Sequence, residues 1–171
     1  YRTQNNRIFI TKYTETNEKI IIPETIDNLP VFAIAAKAFA ETNVTYVKLP
    51  ASLGALASNA FNECDTLLRI DVDDSNPYFC SVDGVVYSKD RTILKVFPAG
   101  RGGDFTIPNG VTTVSNFAFY RCYQIENINM YNTVTSIGER AFSFCWNLRS
   151  VRFSDNLEKI GALAFSHCDD L

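Results

Sequence analysis

The sequence predicts an α/β solenoid made of stacked repeats of similar sequence. The first observation is an Ala-Phe pair that recurs along the 171-residue chain, beginning at Ala38, Ala60, Ala118, Ala141 and Ala164. The second is that the residues seven and four positions before each pair are always apolar. The third is a change of apolar spacing inside each repeat, from the helical period to strand alternation. Stacked units of this kind bury a shared core that one unit alone cannot bury.

The segment Val134–Phe153 shows the repeat most clearly. It opens with a short extended piece that carries Val134 and Ile137. Four apolar residues then follow with the spacing of one helical face: Ala141, Phe142, Cys145 and Leu148. The alternation of Val151 and Phe153 at the end is typical of a strand. Each repeat is therefore predicted to contain an extended piece, about two helical turns and a strand.

The N-terminal 25 residues lack this template. Two apolar runs, Arg7–Thr11 and Lys19–Pro23, are predicted to pair as a β-hairpin. Because the open end of a solenoid exposes apolar surface, this hairpin is expected to act as an N-terminal cap.

A single domain is expected over residues 1–171, with repeats at 26–72 and 105–171. The last repeat is incomplete, since Leu171 is only the first residue of its expected strand. The uncapped end is a predicted surface for self-association.

Residues 73–104 form an insertion between the second and third of these repeats. Asp83-Gly84 is a strong hairpin signal, and Val85–Tyr87 is predicted to pair with Thr92–Phe97. Two interpretations remain open. The insertion either packs on one flank and changes the curvature of the solenoid, or forms a binding lobe.

The composition excludes some classes of partner. A net charge of -3 argues against a nucleic-acid ligand. No run of 18 apolar residues is present, so no membrane span is predicted. No signal peptide is visible, and localisation cannot be derived from targeting signals.

The cysteines follow the repeat. Four of the five fall in one column, four residues after each Ala: Cys64, Cys122, Cys145 and Cys168. Such a column is predicted to pack in the core as small apolar side chains. Disulfides between adjacent repeats are the alternative, although parallel Cβ directions disfavour them.

No constellation for catalysis or cofactor binding is found, and neither enzyme activity nor a cofactor nor a metal is expected. His167 lies beside Cys168, but neighbouring residues on a helical turn point about 100° apart. Asp71, Asp73, Asp74 and Asn76 are dense enough for a calcium loop, but the EF-hand pattern fails because Pro77 and Tyr78 stand in place of its glycine, so a solvated turn is expected instead.

Two surfaces are candidates for ligand binding. Alternation along the predicted strands places eight polar or charged side chains outward: Tyr46, Lys48, Arg69, Asp71, Asn127, Asn129, Ser150 and Arg152. This mixed surface resembles a protein-binding face, although any solvated sheet has a similar composition.

The second candidate is an aromatic patch on the predicted helical turns, formed by Tyr120, Tyr123, Phe144 and Trp146. The repeat positions equivalent to Tyr123 and Trp146 hold Asp65 and Asp169, so core packing does not require aromatic residues there. The alternative is that these rings pack along the turns or under the insertion.

The repeats resemble the BspA-like leucine-rich repeats of bacterial cell-surface proteins. The shared motif is Ile137-Gly138-x-x-Ala141-Phe142-x-x-Cys145-x-x-Leu148-x-x-Val151 and its copies. The insertion, over Asn76–Pro98, and the lead-in before the first repeat are also similar to elements of that family.

This resemblance implies a right-handed leucine-rich-repeat solenoid at the cell surface or secreted. It further implies a non-enzymatic module that mediates adhesion or binds a protein or glycan of a host or partner cell. The alternative is a structural spacer within a longer surface protein.

Overall fold

The computed structural model describes residues 1–171 and contains seventeen β-strands and no helix. The strands are β1 (Arg2–Gln4), β2 (Arg7–Ile10), β3 (Lys19–Ile21), β4 (Thr25–Ile26), β5 (Leu29–Ile34), β6 (Tyr46–Leu49), β7 (Ala55–Leu56), β8 (Arg69–Val72), β9 (Phe79–Val82), β10 (Val85–Ser88), β11 (Ile93–Val96), β12 (Gly103–Ile107), β13 (Thr113–Val114), β14 (Ile125–Met130), β15 (Ser136–Ile137), β16 (Ser150–Arg152) and β17 (Lys159–Ile160). No helix is long and apolar enough to cross a membrane.

The chain winds as a β-solenoid of about 7 turns. One side carries two parallel sheets, β3-β6-β8 and β12-β14-β16, whose outer surface we term the strand face. The other side carries β2, β5 and β7, and then the parallel strands β11, β13, β15 and β17. The predicted solenoid of repeats is therefore present.

The α part of the predicted α/β class is wrong. The segments after the short strands are successive tight turns, in which Arg140 and Phe144 have left-handed backbone angles, φ 51° and 62°. The N–H of Phe142 donates to the carbonyl oxygen of Ala164 in the next repeat, at 2.8 Å. An α-helix needs that N–H for the residue four positions earlier. Backbone hydrogen bonds between stacked repeats replace those of a helix. The tight turns bury the apolar residues at the spacing that, in the sequence alone, predicts a helix.

The predicted N-terminal hairpin is also wrong in its pairing. Arg7–Ile10 pairs with Leu29–Ile34, whereas Lys19–Ile21 pairs with Tyr46–Leu49, so the two apolar runs enter different sheets. They form the first turn of the solenoid. The actual hairpin joins β1 to β2 through Asn5-Asn6, both with positive φ, as a two-residue turn between twisted strands requires.

The insertion lies inside the stack rather than on its flank. The predicted hairpin is present as β10 and β11, and β9 joins it through the Asp83-Gly84 turn. Strand β11 then pairs in parallel with β13 of the following repeat. Phe97 takes the place of the repeat phenylalanine and stacks on Phe119 with ring centroids 4.7 Å apart.

Two hydrophobic clusters fill the solenoid, one of 20 and one of 21 buried residues. The strands β10 and β11 lie between them. Val86 and Val96 belong to the N-terminal cluster, whereas Val85 and Leu94 belong to the C-terminal one. Val85 and Val86 are successive residues and point to opposite sides of β10. In β11 the register shift opposite Val86 and Tyr87 separates Leu94 from Val96, so the hairpin contributes side chains to both clusters.

Candidate functional site

The eight residues predicted for the strand face do point outward. Arg69, Ser150 and Arg152 are exposed, and the other five are half-buried. They do not form one continuous surface, however, because β8 does not pair with β12. The N–H of Ile70 donates instead to the carbonyl oxygen of Gly84, at 3.0 Å, so the insertion closes the edge of β8.

The four strand-face residues of the N-terminal half are engaged with one another or with a neighbour. The Tyr46 hydroxyl donates to Asp71 Oδ2 at 3.2 Å, and Arg69 Nε donates to the same oxygen at 3.0 Å. Lys48 Nζ lies 3.5 Å from Asp73 Oδ2. Partial burial and the nearby Asp71 carboxylate raise the pKa of Tyr46. The charges on this part of the strand face are therefore largely matched within the protein.

The C-terminal half of the strand face carries two rows of side chains that differ in their bonding. In the first row, Asn127 Nδ2 donates to Asp104 Oδ1 and Ser150 Oγ donates to Asn127 Oδ1, both at 2.6 Å. In the second row, Thr106, Asn129 and Arg152 stand side by side in register, yet their side chains make no hydrogen bond or salt bridge. The side chains of the second row are thus without a hydrogen-bond partner inside the protein.

These free side chains line a cleft of about 550 Å³ at the end of the strands. Tyr131 forms part of its wall and is 51% exposed. Asp155 also lines the cleft, but its carboxylate accepts a hydrogen bond from Asn132 Nδ2 at 2.9 Å. Arg152 and Asp155 are the two charged residues of the cleft, neither forms a salt bridge, and the Arg152 guanidinium makes no hydrogen bond within the protein.

The structure brings the four predicted aromatic residues together on the turn edge, the surface formed by the tight turns. Tyr123 stacks on Trp146 with centroids 4.3 Å apart, and Tyr120 meets Phe144 edge-on at 5.6 Å. Trp146 remains 45% exposed, and the other three rings are half-buried. The rings pack against one another along the turns.

Sequence reasoning missed the neighbours that extend this patch. His167 stacks on Phe144 at 4.5 Å, and the Arg121 guanidinium lies 5.1 Å from the Tyr123 ring centre. Arg121 also bridges the insertion, because its Nη2 lies 3.0 Å from Asp65 Oδ2 in the preceding repeat. The sequence did contain a signal that these residues join the patch. Arg121 and His167 occupy the same position of the repeat as Phe144, three residues after the Ala.

Three of the four cysteines in the repeat column are buried, and Cys168 is half-buried. All five cysteines are free thiols, and the Cys145 thiol donates to the carbonyl oxygen of Phe119, at 3.1 Å. Burial raises the pKa of Cys64 to about 11 and also raises the pKa of the Cys122 thiol. Within the aspartate-rich turn considered for calcium, Asn76 is fully buried and bonded only to the backbone. No group of three potential metal ligands is close enough to hold an ion.

Solved structures of similar fold are bacterial leucine-rich repeat proteins. A leucine rich cell surface protein from Faecalibacterium prausnitzii is 26% identical, with a TM-score of 0.74, covering 90% of this chain and 46% of its own length. The pneumococcal vaccine antigen PcpA is 24% identical, with a TM-score of 0.71 and coverages of 80% and 40%. A leucine-rich repeat protein from Eubacterium ventriosum is 22% identical, with a TM-score of 0.63 and coverages of 82% and 44%.

The chain spans less than half the length of each of these structures. No protein of curated function matches its sequence. The BspA type leucine rich repeat region matches in six copies over residues 7–81 and 101–171. This match covers most of the chain and includes both sides of the central hairpin. The protein therefore belongs to the BspA-type leucine-rich repeat family.

Proposed function

We propose that the chain is a non-enzymatic binding module of a bacterial surface protein and that it contacts a protein ligand through the turn edge of its C-terminal half. Family membership supports a role in protein interaction. The Faecalibacterium relative is described as a cell surface protein, which supports the location. The observation that carries the proposal is the exposed stack of Tyr123 and Trp146.

The stack has the properties of an interface anchor. Large aromatic side chains dominate the binding energy of protein interfaces when they are buried by a partner. Trp146 is already held against Tyr123, so little rotamer freedom is lost on binding. Because repeats elsewhere in the chain carry Asp65 and Asp169 at the same position, the aromatic pair is dispensable for the repeat fold and is available for recognition.

The free row of the strand face is proposed as a second, polar contact. Asn129 and Arg152 have no partners within the protein, unlike Asn127 and Ser150 in the neighbouring row. Arginine and amide side chains of this kind supply directional hydrogen bonds at the rim of an interface. Of the eight predicted strand-face residues, Asn129 and Arg152 are therefore the strongest candidates for ligand contact.

A structural spacer is the second candidate function. It is favoured by the N-terminal strand face, where Tyr46, Arg69 and Asp71 bond to one another and Lys48 pairs with Asp73. A surface whose charges are matched internally gains little from a ligand. The N-terminal half would then position the C-terminal half within a longer surface protein.

Binding of the purified chain to a panel of host extracellular-matrix proteins tests the proposal. The Tyr123→Ala/Trp146→Ala variant is compared with Tyr78→Ala, which removes an exposed tyrosine from the insertion. We expect a bound protein whose affinity falls at least about tenfold in the first variant and is unchanged in the second. Equal binding by both variants would remove the turn edge from the site, and no binding by the intact chain would favour the spacer.

A further inference from the structure

A second groove lies on the side of the solenoid opposite the strand face. It has a volume of about 690 Å³ and crosses four parallel strands, β11, β13, β15 and β17. At the usual spacing between neighbouring strands, it extends about 14 Å along the solenoid axis. We term it the rear groove. It is separate from the turn edge and from the cleft beside Arg152.

The register of the strands explains the depth of the groove. Ile93, Thr113, Ser136 and Lys159 form one outward row. A second row is formed by the residues two positions later in the sequence, which are Lys95, Ser115, Gly138 and Gly161. A Cβ atom on Gly138 would lie 2.4 Å from the backbone nitrogen of Asn116, and one on Gly161 would lie equally close to the nitrogen of Glu139. Close packing of adjacent turns therefore requires glycine here and leaves a recessed floor.

The walls of the groove are polar and carry unmatched positive charge. Only four of the fourteen lining residues are hydrophobic, and the rest include the hydroxyls of Thr113, Ser115 and Ser136. Lys95 and Lys159 stand at opposite ends, and neither makes a salt bridge. Glu139 is the lone carboxylate in the lining, and its oxygen lies 3.8 Å from the Arg140 guanidinium.

Charge pairing varies over the surface of the molecule, and six of its sixteen lysine and arginine residues form a salt bridge. The protein as a whole carries a net charge of -3. Lys37, Lys48, Arg69 and Arg121 all lie within salt-bridge distance of a carboxylate. Lys95 and Lys159 lack a carboxylate partner, and because they lie at the two ends of one groove they are complementary to a ligand that carries anionic groups along its length.

We propose that the rear groove binds a short linear oligosaccharide that carries carboxylate groups. Its hydroxyls would pair with the Ser and Thr side chains of the walls, and its carboxylates with Lys95 and Lys159 through charge-assisted hydrogen bonds. The groove has no aromatic pocket of the kind that anchors a protein ligand. This inference is independent of the proposed protein contact on the turn edge.

Titration with a hyaluronan decamer, followed by calorimetry at low and at physiological salt, tests the inference. The Lys95→Glu/Lys159→Glu variant is compared with Lys19→Glu, which reverses an unpaired lysine on the strand face. We expect the double variant to lose at least about tenfold in affinity and Lys19→Glu to lose less than about twofold. Binding should also weaken as salt rises.

Three results would overturn the inference. The first is that the folded chain does not bind hyaluronan. The second is that Lys19→Glu loses as much affinity as the Lys95→Glu/Lys159→Glu variant, and the third is that neutral maltoheptaose binds as tightly as hyaluronan. A Ser136→Trp variant provides a second check, since the indole fills the groove without altering its charge. We expect this variant to lose hyaluronan binding while the Tyr123→Ala/Trp146→Ala variant retains it, which separates this groove from the turn edge.

Discussion

Val85 and Val86 are neighbours in β10, yet their side chains are buried in two different hydrophobic clusters. The same division recurs in β11, where Leu94 faces the C-terminal cluster and Val96 the N-terminal one. The central hairpin is thus shared by two cores. It couples two half-solenoids whose strand-face sheets do not pair with each other.

We expect substitutions of Leu94 and Val96 in β11 to destabilise different halves of the protein, because the two side chains belong to different clusters. Leu94→Ala should lower the free energy of unfolding by about 2–5 kcal/mol, because Leu94 is fully buried. Amide hydrogen exchange should then accelerate mainly in β13–β17, and in Val96→Ala mainly in β2–β8. Uniform acceleration in both variants would contradict the division into two cores.

Asn76 anchors the start of the insertion, and we expect its replacement to be costly. Its Nδ2 donates to the carbonyl oxygens of Pro50 and Leu53, and its Oδ1 accepts from the N–H groups of Tyr78 and Phe79, all within 3.0 Å. Asn76→Ala leaves these buried groups unpaired and should lower the free energy of unfolding by about 3 kcal/mol or more.

Urea unfolding measures the cost, with Asn109→Ala as the matched control. Asn109 is exposed, so its replacement should change the free energy of unfolding by less than about 0.5 kcal/mol. Similar values for the two variants would show that the Asn76 side chain does not hold the insertion in place.

The solenoid could be predicted because its signal is local and repeated. The apolar columns identify inward residues such as Phe119, Phe142 and Phe165, which stack 4.7 and 5.1 Å apart as expected for neighbouring turns. The turns could not be distinguished from helices in this way. Left-handed backbone angles are uncommon for residues other than glycine, and arginine or phenylalanine at positions 140 and 144 does not predict them.

The candidate sites were predictable only in part for a similar reason. Alternation shows that Asn127 and Asn129 point outward, but not that the first is bonded to Asp104 and Ser150 while the second is free. Such bonds depend on side chains in adjacent turns. The rear groove is still less accessible to sequence reasoning, because Lys95 and Lys159 lie far apart in the sequence and line one groove only through the stacking of β11, β13, β15 and β17.

We expect the buried thiols to make the protein less stable at alkaline pH. The pKa of Cys64 rises from an ordinary value of 9.0 to about 11 because burial disfavours the thiolate. Between these pH values the unfolded chain binds fewer protons than the folded one, so stability is intact below pH 9 and falls as the pH rises towards 11. Cys64 alone should account for a loss of about 1 kcal/mol at pH 10.

The measurement is the free energy of unfolding between pH 8 and pH 10.5, in reducing buffer. Cys64→Ala should show a shallower decline than the parent protein, whatever its stability at pH 8. Parallel curves would mean that the thiol does not titrate differently in the folded state.

Finally, Trp146 and Phe142 provide a comparison between a surface ring and a core ring of the same repeat. Phe142 is fully buried, and Phe142→Ala should lower the free energy of unfolding by about 3–5 kcal/mol. Trp146 is 45% exposed, so Trp146→Ala should remove only its stacking on Tyr123 and cost about 1 kcal/mol. Urea unfolding of the two variants measures the difference. If Trp146→Ala proved as costly as Phe142→Ala, the indole would be part of the structural core, and the turn edge would lose its anchor for a protein ligand.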